Sequence, residues 1–167
     1  KDLPHRRIAH SLALYIVATP IGNLEDITLR ALRILKEVDL ILCEDKRVTI
    51  KLLNKYKIKT KLISFHKFNE SRLLVEIMGS LQSGKSIALV SDAGTPLISD
   101  PGSSLVKTAV ENNIKIISIP GPSSLTAAIS LCPFNIEKFL YIGFLPDEKS
   151  KRIKTISTLH DRANNVL

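Results

Sequence analysis

The chain has 167 residues, enough for one domain with a sizeable core, or for one domain and part of another. Its apolar fraction of 44% and charged fraction of 24% are typical of globular proteins, and no apolar run approaches the ~20 residues that a membrane span needs. The net charge of +8 would attract polyanions such as nucleic acid, although solvated lysines on helix faces explain it equally well.

The cysteines and histidines show no metal-binding pattern. Cys43 and Cys132 lie far apart inside apolar segments, and the four histidines lack the spacing of metal ligands. Such cysteines are typical of buried side chains in a reducing compartment, which predicts a cytoplasmic protein that needs no metal. Residues 1–12 lack the apolar stretch of a secretory signal, and we expect them to form a disordered leader.

Five short apolar runs alternate with helical patterns along the chain. The runs predict strands at 14–18, 40–43, 61–64, 87–90 and 114–118, and the patterns between them predict helices at 28–38, 48–56, 70–82 and 103–112. Thr28 is of a favoured type for the residue that caps the first helix. This alternation predicts an α/β fold, in which helices flank a five-stranded, mainly parallel sheet on both faces.

The string Pro120-Gly121-Pro122 interrupts the alternation and indicates a domain boundary. Beyond it the sequence predicts a short helix at 125–131, a sixth strand at 138–144 and a lysine-rich helix at 147–160. One strand and two helices cannot close a core alone. We therefore expect residues 13–120 to form an N-terminal α/β domain, and residues 121–167 to be the incomplete start of a second α/β domain.

Three loops that follow predicted strands carry the polar residues of interest. The first, 18–28, holds Pro20 and Gly22 but neither GxGxxG nor a Walker A string, which disfavours a pyrophosphate ligand. The second loop, 44–49, holds Asp45. This residue either complements the dipole of the next helix or serves as a carboxylate that binds hydroxyls or accepts a proton.

The third loop, 91–102, is longer than the two to six residues of a plain connection. Capping of the next helix, with Pro101 at its first position, explains Asp100. Asp92 directly follows the strand and has no such explanation, so it is the better functional candidate.

Four strings carry a resemblance to a known family: 17–28 (Val-Ala-Thr-Pro-Ile-Gly-Asn-Leu-Glu-Asp-Ile-Thr), 44–47 (Glu-Asp-Lys-Arg), 91–102, and 120–123 (Pro-Gly-Pro-Ser). Together they resemble the branch of the tetrapyrrole methylase superfamily whose members methylate small-subunit ribosomal RNA. The resemblance covers about residues 14–146. It implies an S-adenosylmethionine-dependent enzyme that methylates the 2′-hydroxyl of a cytidine in 16S rRNA. The resemblance also implies that the cofactor lies between two α/β domains and that the protein is a homodimer, as is usual in the family.

The resemblance also implies roles for individual residues. The chemistry of this reaction requires the ribose hydroxyl to lose its proton, for which Asp45 and Asp92 are the candidate acceptors. The methyl donor is already activated, so we expect no metal. The RNA phosphates would be held by Lys46, Arg47, Lys51 and Lys55. The cofactor would lie against Pro20, Gly22, Ser91, Asp92, Ala93, Gly94, Thr95, Pro120, Gly121 and Pro122.

The chain departs from the family in two ways. Lys46 stands where the family has threonine in its Asp-Thr-Arg string, so we assign Lys46 no catalytic role. The family's second domain extends well beyond Leu167, so we expect this chain to be truncated and to lack activity alone. Two alternatives stay open: a methylase of a tetrapyrrole such as a precorrin, which the basic charge disfavours, and a non-catalytic fragment that binds RNA or a nucleoside.

Overall fold

The computed structural model describes residues 12–98 and 102–162, with side chains up to residue 159. The chain divides into two compact units, the first ending at Ser124 and the second beginning at Leu125. The predicted leader falls almost wholly on residues 1–11, which lie outside the described residues. No helix in the described part of the chain is both long enough and apolar enough to cross a membrane.

The first unit is built on five parallel strands in the spatial order β3-β2-β4-β1-β5. The strands are β1 (Ala13–Val17), β2 (Leu40–Cys43), β3 (Leu62–Ser64), β4 (Ile87–Leu89) and β5 (Lys115–Ile119). The helices between them are α1 (Leu29–Glu37), α2 (Lys46–Lys55), α3 (Glu70–Gln82) and α4 (Ser103–Glu111). The predicted five-stranded parallel sheet with flanking helices is therefore confirmed.

Alternation along the strands gives the sheet two apolar faces. In β1, Ala13, Tyr15 and Val17 pack in the cluster that contains α1 and α2, whereas Leu14 and Ile16 pack in the cluster that contains α3 and α4. Strands buried on both faces read as continuous apolar runs, which is why the sequence reveals them. The order of the strands and the alternating faces of the helices define a doubly wound sheet.

The helix ends follow local hydrogen bonding. Thr28 caps α1 as predicted, because its hydroxyl accepts the N–H of Ala31 at 3.1 Å. α4 begins at Ser103 after Gly102, whereas Asp100 and Pro101, on which the predicted cap of this helix rests, lie outside the described residues. Asn69 precedes α3 without capping it; its side chain is bonded within the preceding loop instead.

The second unit contains α6 (Lys149–Arg162) and most of α5 (Ser124–Ser130). The predicted strand at 138–144 is wrong, since this segment has no regular structure. A strand is completed by a neighbouring strand, and the described part of this unit provides none. The segment's side chains consequently stay largely exposed, with Tyr141 at 47% and Phe144 at 88%.

Candidate active site

The candidate site lies at the carboxyl ends of β2, β4 and β1, which are neighbours in the sheet. The chain leaves β2 toward α2 on one face and leaves β4 toward α4 on the other. Adjacent strands whose connections depart to opposite faces leave a crevice between the loops, where ligands of doubly wound sheets bind. The topology thus places the loops after β1, β2 and β4 around one opening.

The loops after β1 and β4 are joined through their backbones. Thr19 and Gly94 exchange two hydrogen bonds, of 2.9 and 3.0 Å, and the Thr19 hydroxyl donates to the carbonyl of Ser91 at 3.1 Å. Gly94 has φ of +82°, and an added Cβ would lie 3.3 Å from the side chain of Ile21. A glycine is favoured here because the backbone is left-handed and the two loops approach closely.

The loop after β5 joins the same group. The Thr95 hydroxyl donates to the carbonyl of Pro122 at 3.2 Å, and a Cβ on Gly121 would lie 3.1 Å from Cβ of Ala18. The structure therefore brings the predicted cofactor residues of the β4 and β5 loops into contact. Gly22 differs, since it is exposed and no atom lies within 4 Å of its added Cβ.

Asp92 links the loops after β4 and β2. Its Oδ1 accepts the N–H of Asp45 at 3.0 Å, and the side chain is half-buried. The second carboxylate oxygen, Oδ2, has no hydrogen bond within the part of the chain that the structure describes. One oxygen of Asp92 is thus fixed by the backbone while the other stays available to a ligand.

Asp45 is occupied by contacts with its own helix. It caps α2 by accepting the N–H of Arg47 at 2.8 Å, and its Oδ2 lies 2.6 Å from Nη2 of the Arg47 guanidinium. These hydrogen bonds to Arg47 lower the pKa of the Asp45 carboxyl. A carboxylate stabilised in its charged form is a weaker proton acceptor, so the geometry favours Asp92 over Asp45 for that role.

A pocket of about 270 Å³, partly open to solvent, lies beside Asp92. Its walls are mostly apolar, with a few polar groups from the strand ends. The lining residues are Thr19, Pro20, Leu24, Val48, Thr49, Leu52, Ser91 and Asp92. An apolar pocket with few convergent polar groups is the usual form of a small-molecule site.

Thr49 on α2 contributes a buried hydroxyl to this pocket. The residue is 4% exposed, and its Oγ1 has no hydrogen-bond partner of ordinary geometry among the residues that the structure describes. Burial raises the pKa of the neighbouring Cys43 thiol to about 11 and the Thr49 hydroxyl lowers it in part, but that thiol donates to Ile63 O at 3.6 Å. Sulfur is a weak acceptor, so this contact leaves the buried hydroxyl without a strong partner.

Replacing Thr49 by valine is expected to raise the free energy of unfolding by about 1 kcal/mol, because a buried hydroxyl without a strong partner is removed while the shape is kept. Urea denaturation measures the change. Thr49→Ser is the matched control: it keeps the hydroxyl, loses a methyl group and should be less stable than the parent by about 1 kcal/mol. A valine variant less stable than the parent would show that the hydroxyl is satisfied in the free protein.

Basic residues lie on the exposed face of α2 next to this opening. Arg47, Lys51 and Lys55 recur every four residues and therefore form one stripe along the helix. Lys46 is exposed at the first turn. Lys55 is partly engaged, since its Nζ lies 3.8 Å from Oε1 of Glu25 and 5.8 Å from the ring centre of Tyr56. None of the described residues forms a cluster able to hold a metal ion.

Sequence reasoning missed the pocket residues that come from α2, which are Val48, Thr49 and Leu52. A signal was present, because Thr49 lies three and four residues before the buried Leu52 and Leu53 and so shares their helix face. A threonine on the buried face of a helix that starts at a ligand-binding edge indicates a polar group directed at the site.

The chain belongs to the family of Tetrapyrrole (Corrin/Porphyrin) Methylases, whose family model matches residues 13–166. Its sheet topology is accordingly shared with solved members. A cobalamin biosynthetic enzyme, cobalt precorrin-4 methyltransferase, superposes with a TM-score of 0.59 at 22% identity, covering 72% of this chain and 50% of that one. The native form of uroporphyrin III C-methyltransferase from Thermus thermophilus has a TM-score of 0.59 at 20% identity, covering 81% and 63%.

Closer sequence relatives are named "Ribosomal RNA small subunit methyltransferase I". The Thermotoga maritima protein is 53% identical over 83% of this chain, which covers 63% of that protein. The protein from Borrelia garinii subsp. bavariensis is 50% identical over 90% of this chain, which covers 67% of that protein. The protein from Escherichia coli O157:H7 is 48% identical over 92% of this chain, which covers 54% of that protein. The chain thus spans roughly half to two thirds of the length of these relatives.

Proposed function

We propose that this chain belongs to an S-adenosylmethionine-dependent methyltransferase that acts on small-subunit ribosomal RNA, at the 2′-hydroxyl of a cytidine. One structural observation carries the proposal: the four strings that resemble the RNA-methylating branch come from separate parts of the sequence, yet hydrogen bonds join their described residues at the carboxyl end of the sheet. The names of relatives at about 50% identity support the same substrate.

The residues at this edge fit the cofactor. Gly94 and Gly121 keep the loop backbones close, while one oxygen of Asp92 remains for a polar ligand. The proposed cofactor contacts are Pro20, Gly22, Pro120, Gly121, Pro122 and the run from Ser91 to Thr95. When bound, S-adenosylmethionine supplies a methyl group already activated on a sulfonium. No metal is therefore needed to activate the donor.

The chain's own residues would position the acceptor and remove its proton. Asp92 Oδ2 is the proposed acceptor of the hydroxyl proton, and the N–H of Asp45 holds this carboxylate in place through Oδ1. Lys46 and the stripe of Arg47, Lys51 and Lys55 would bind RNA phosphates. An RNA substrate of this kind implies a cytoplasmic enzyme, and the resemblance further implies a homodimer.

The test uses the full-length protein in two assays. Calorimetry should show binding of S-adenosylhomocysteine, and labelled S-adenosylmethionine should transfer its methyl group to small ribosomal subunits but not to a precorrin. Label found only in the precorrin would favour the tetrapyrrole methylase, the activity named for the solved neighbours. Binding of RNA without binding of S-adenosylhomocysteine would favour the non-catalytic alternative.

A further inference from the structure

Phe68 is a prominent exposed aromatic residue of the first unit. It lies in the loop between β3 and α3, and 85% of its surface is exposed. The two residues before it in the sequence contact its ring. Lys67 Nζ lies 4.9 Å from the ring centre, and the centre of the His66 ring lies 5.9 Å away in an edge-on arrangement. With so much of its surface exposed, the ring keeps area available to a planar ligand.

The loop that carries Phe68 is braced by hydrogen bonds. The Asn69 side chain accepts the N–H of His66 and donates to the carbonyl of Ser64, each at 2.9 Å. The N–H of Phe68 donates to Nδ1 of His66 at 3.3 Å, and the N–H of Asn69 donates to His66 O at 2.9 Å. An aromatic side chain on a pre-organised loop loses less conformational entropy when it binds.

This loop adjoins the candidate site. The N–H of Phe65 donates to Cys43 O at 2.7 Å, and the Ser64 hydroxyl donates to Glu44 O at 2.9 Å, which ties the end of β3 to the end of β2. Because α2 begins at that end of β2, the exposed Lys46 belongs to the same rim as Lys67. Arg47 is paired with Asp45, so Lys46 and Lys67 are the exposed cations that this rim offers to phosphates, with Glu44 beside them.

We propose that Phe68 is a stacking platform for an unpaired base of the RNA substrate, with Lys67 and Lys46 on the adjoining phosphates. This inference rests on the proposed function. Unpaired RNA bases stack on aromatic side chains, and nearby cations hold the backbone. A single ring among cationic and polar side chains offers too little apolar area for a specific protein interface. A ring beside cations instead complements a nucleic acid strand, which presents bases next to phosphates.

The chain contains no tryptophan, which permits a direct test. Phe68→Trp introduces one fluorophore at the proposed platform, and titration with an unstructured 12-nucleotide oligoribonucleotide should quench its emission. The matched control is Val75→Trp on α3, where the residue is 79% exposed, and its emission should change little. Heparin, a polyanion without bases, should bind both variants without quenching either one.

Affinity measurements separate stacking from charge. Phe68→Ala should weaken RNA binding by about 5- to 150-fold, as expected for the loss of one stacked base, without changing its salt dependence. Phe68→Tyr should restore most of the affinity. Lys67→Ala should instead lower the slope of log affinity against log salt by about one.

Three outcomes would overturn the platform: unquenched Phe68→Trp emission when RNA is bound, equal quenching by heparin, or parental affinity in Phe68→Ala. A parent chain that binds no RNA would overturn it together with the RNA substrate. RNA binding with quenching, but without methyl transfer by the full-length protein, would support the platform and contradict only the proposed reaction.

Discussion

Asp92→Asn is expected to lower the rate of methyl transfer by about 10²- to 10⁴-fold, the usual contribution of a general base. Asparagine keeps the oxygen that accepts the N–H of Asp45 at 3.0 Å, so the link between the loops after β4 and β2 is retained. It removes the negative charge and the oxygen that would take the proton. The loss should therefore appear mainly in kcat and should exceed any change in the affinity for S-adenosylhomocysteine that follows from the cofactor contact proposed for Asp92, while the unfolding midpoint stays close to that of the parent.

Two further variants make this expectation sharper. Glu111→Gln also removes one carboxylate, but at the end of α4, where Glu111 lies 4.0 Å from Lys107 on the surface, and it should leave the rate unchanged. Asp92→Ala loses the bond to the Asp45 N–H as well, so it should be less stable than Asp92→Asn. A rate for Asp92→Asn within a few-fold of the parent, measured with labelled cofactor and small ribosomal subunits, would remove Asp92 as the base.

The fold of the first unit was largely predictable because its sequence signals are local and agree with one another. The inner strands β1, β2 and β4 are buried on both sides, so they appear as continuous apolar runs, and Thr28 marks the start of α1 through its side chain. The strand predicted at 138–144 failed because its apolar residues have strand-like composition but no partner strand in the described part of the second unit. Pairing is a non-local property that a run of residue types does not contain.

The candidate site was predictable in position but not in its internal contacts. The polar residues after β1, β2 and β4 indicate the correct edge of the sheet. The contact of Asp45 with Arg47 depends on the positions of their side chains. The bond that leaves one oxygen of Asp92 free depends on the distance between the loops after β2 and β4. The position of Thr49 on the buried face of α2 could be read from the sequence, but the lack of a hydrogen-bond partner for its hydroxyl among the described residues could not. The cofactor contacts and the catalytic base remain predictions.

Gly102→Ala is expected to lower the free energy of unfolding by about 3 kcal/mol. Gly102 precedes α4 with φ of +115°, a backbone conformation that residues with a Cβ rarely adopt. An added Cβ would also lie 2.8 Å from Cδ2 of Leu89 and 3.0 Å from Cδ2 of Leu97. Leu89 is 2% exposed in the cluster under α4, so moving its end would displace other core side chains.

Gly79→Ala is the matched control for this substitution. Gly79 lies inside α3, and nothing lies within 4 Å of its added Cβ. Alanine should therefore raise the free energy of unfolding by about 0.5–1 kcal/mol, since it reduces the freedom of the unfolded chain and favours the helix. Urea denaturation of both variants gives the comparison. Equal stability of Gly102→Ala and the parent would contradict the expected strain at Gly102. A lower free energy of unfolding for Gly102→Ala together with a higher one for Gly79→Ala would locate the constraint at the residue that precedes α4.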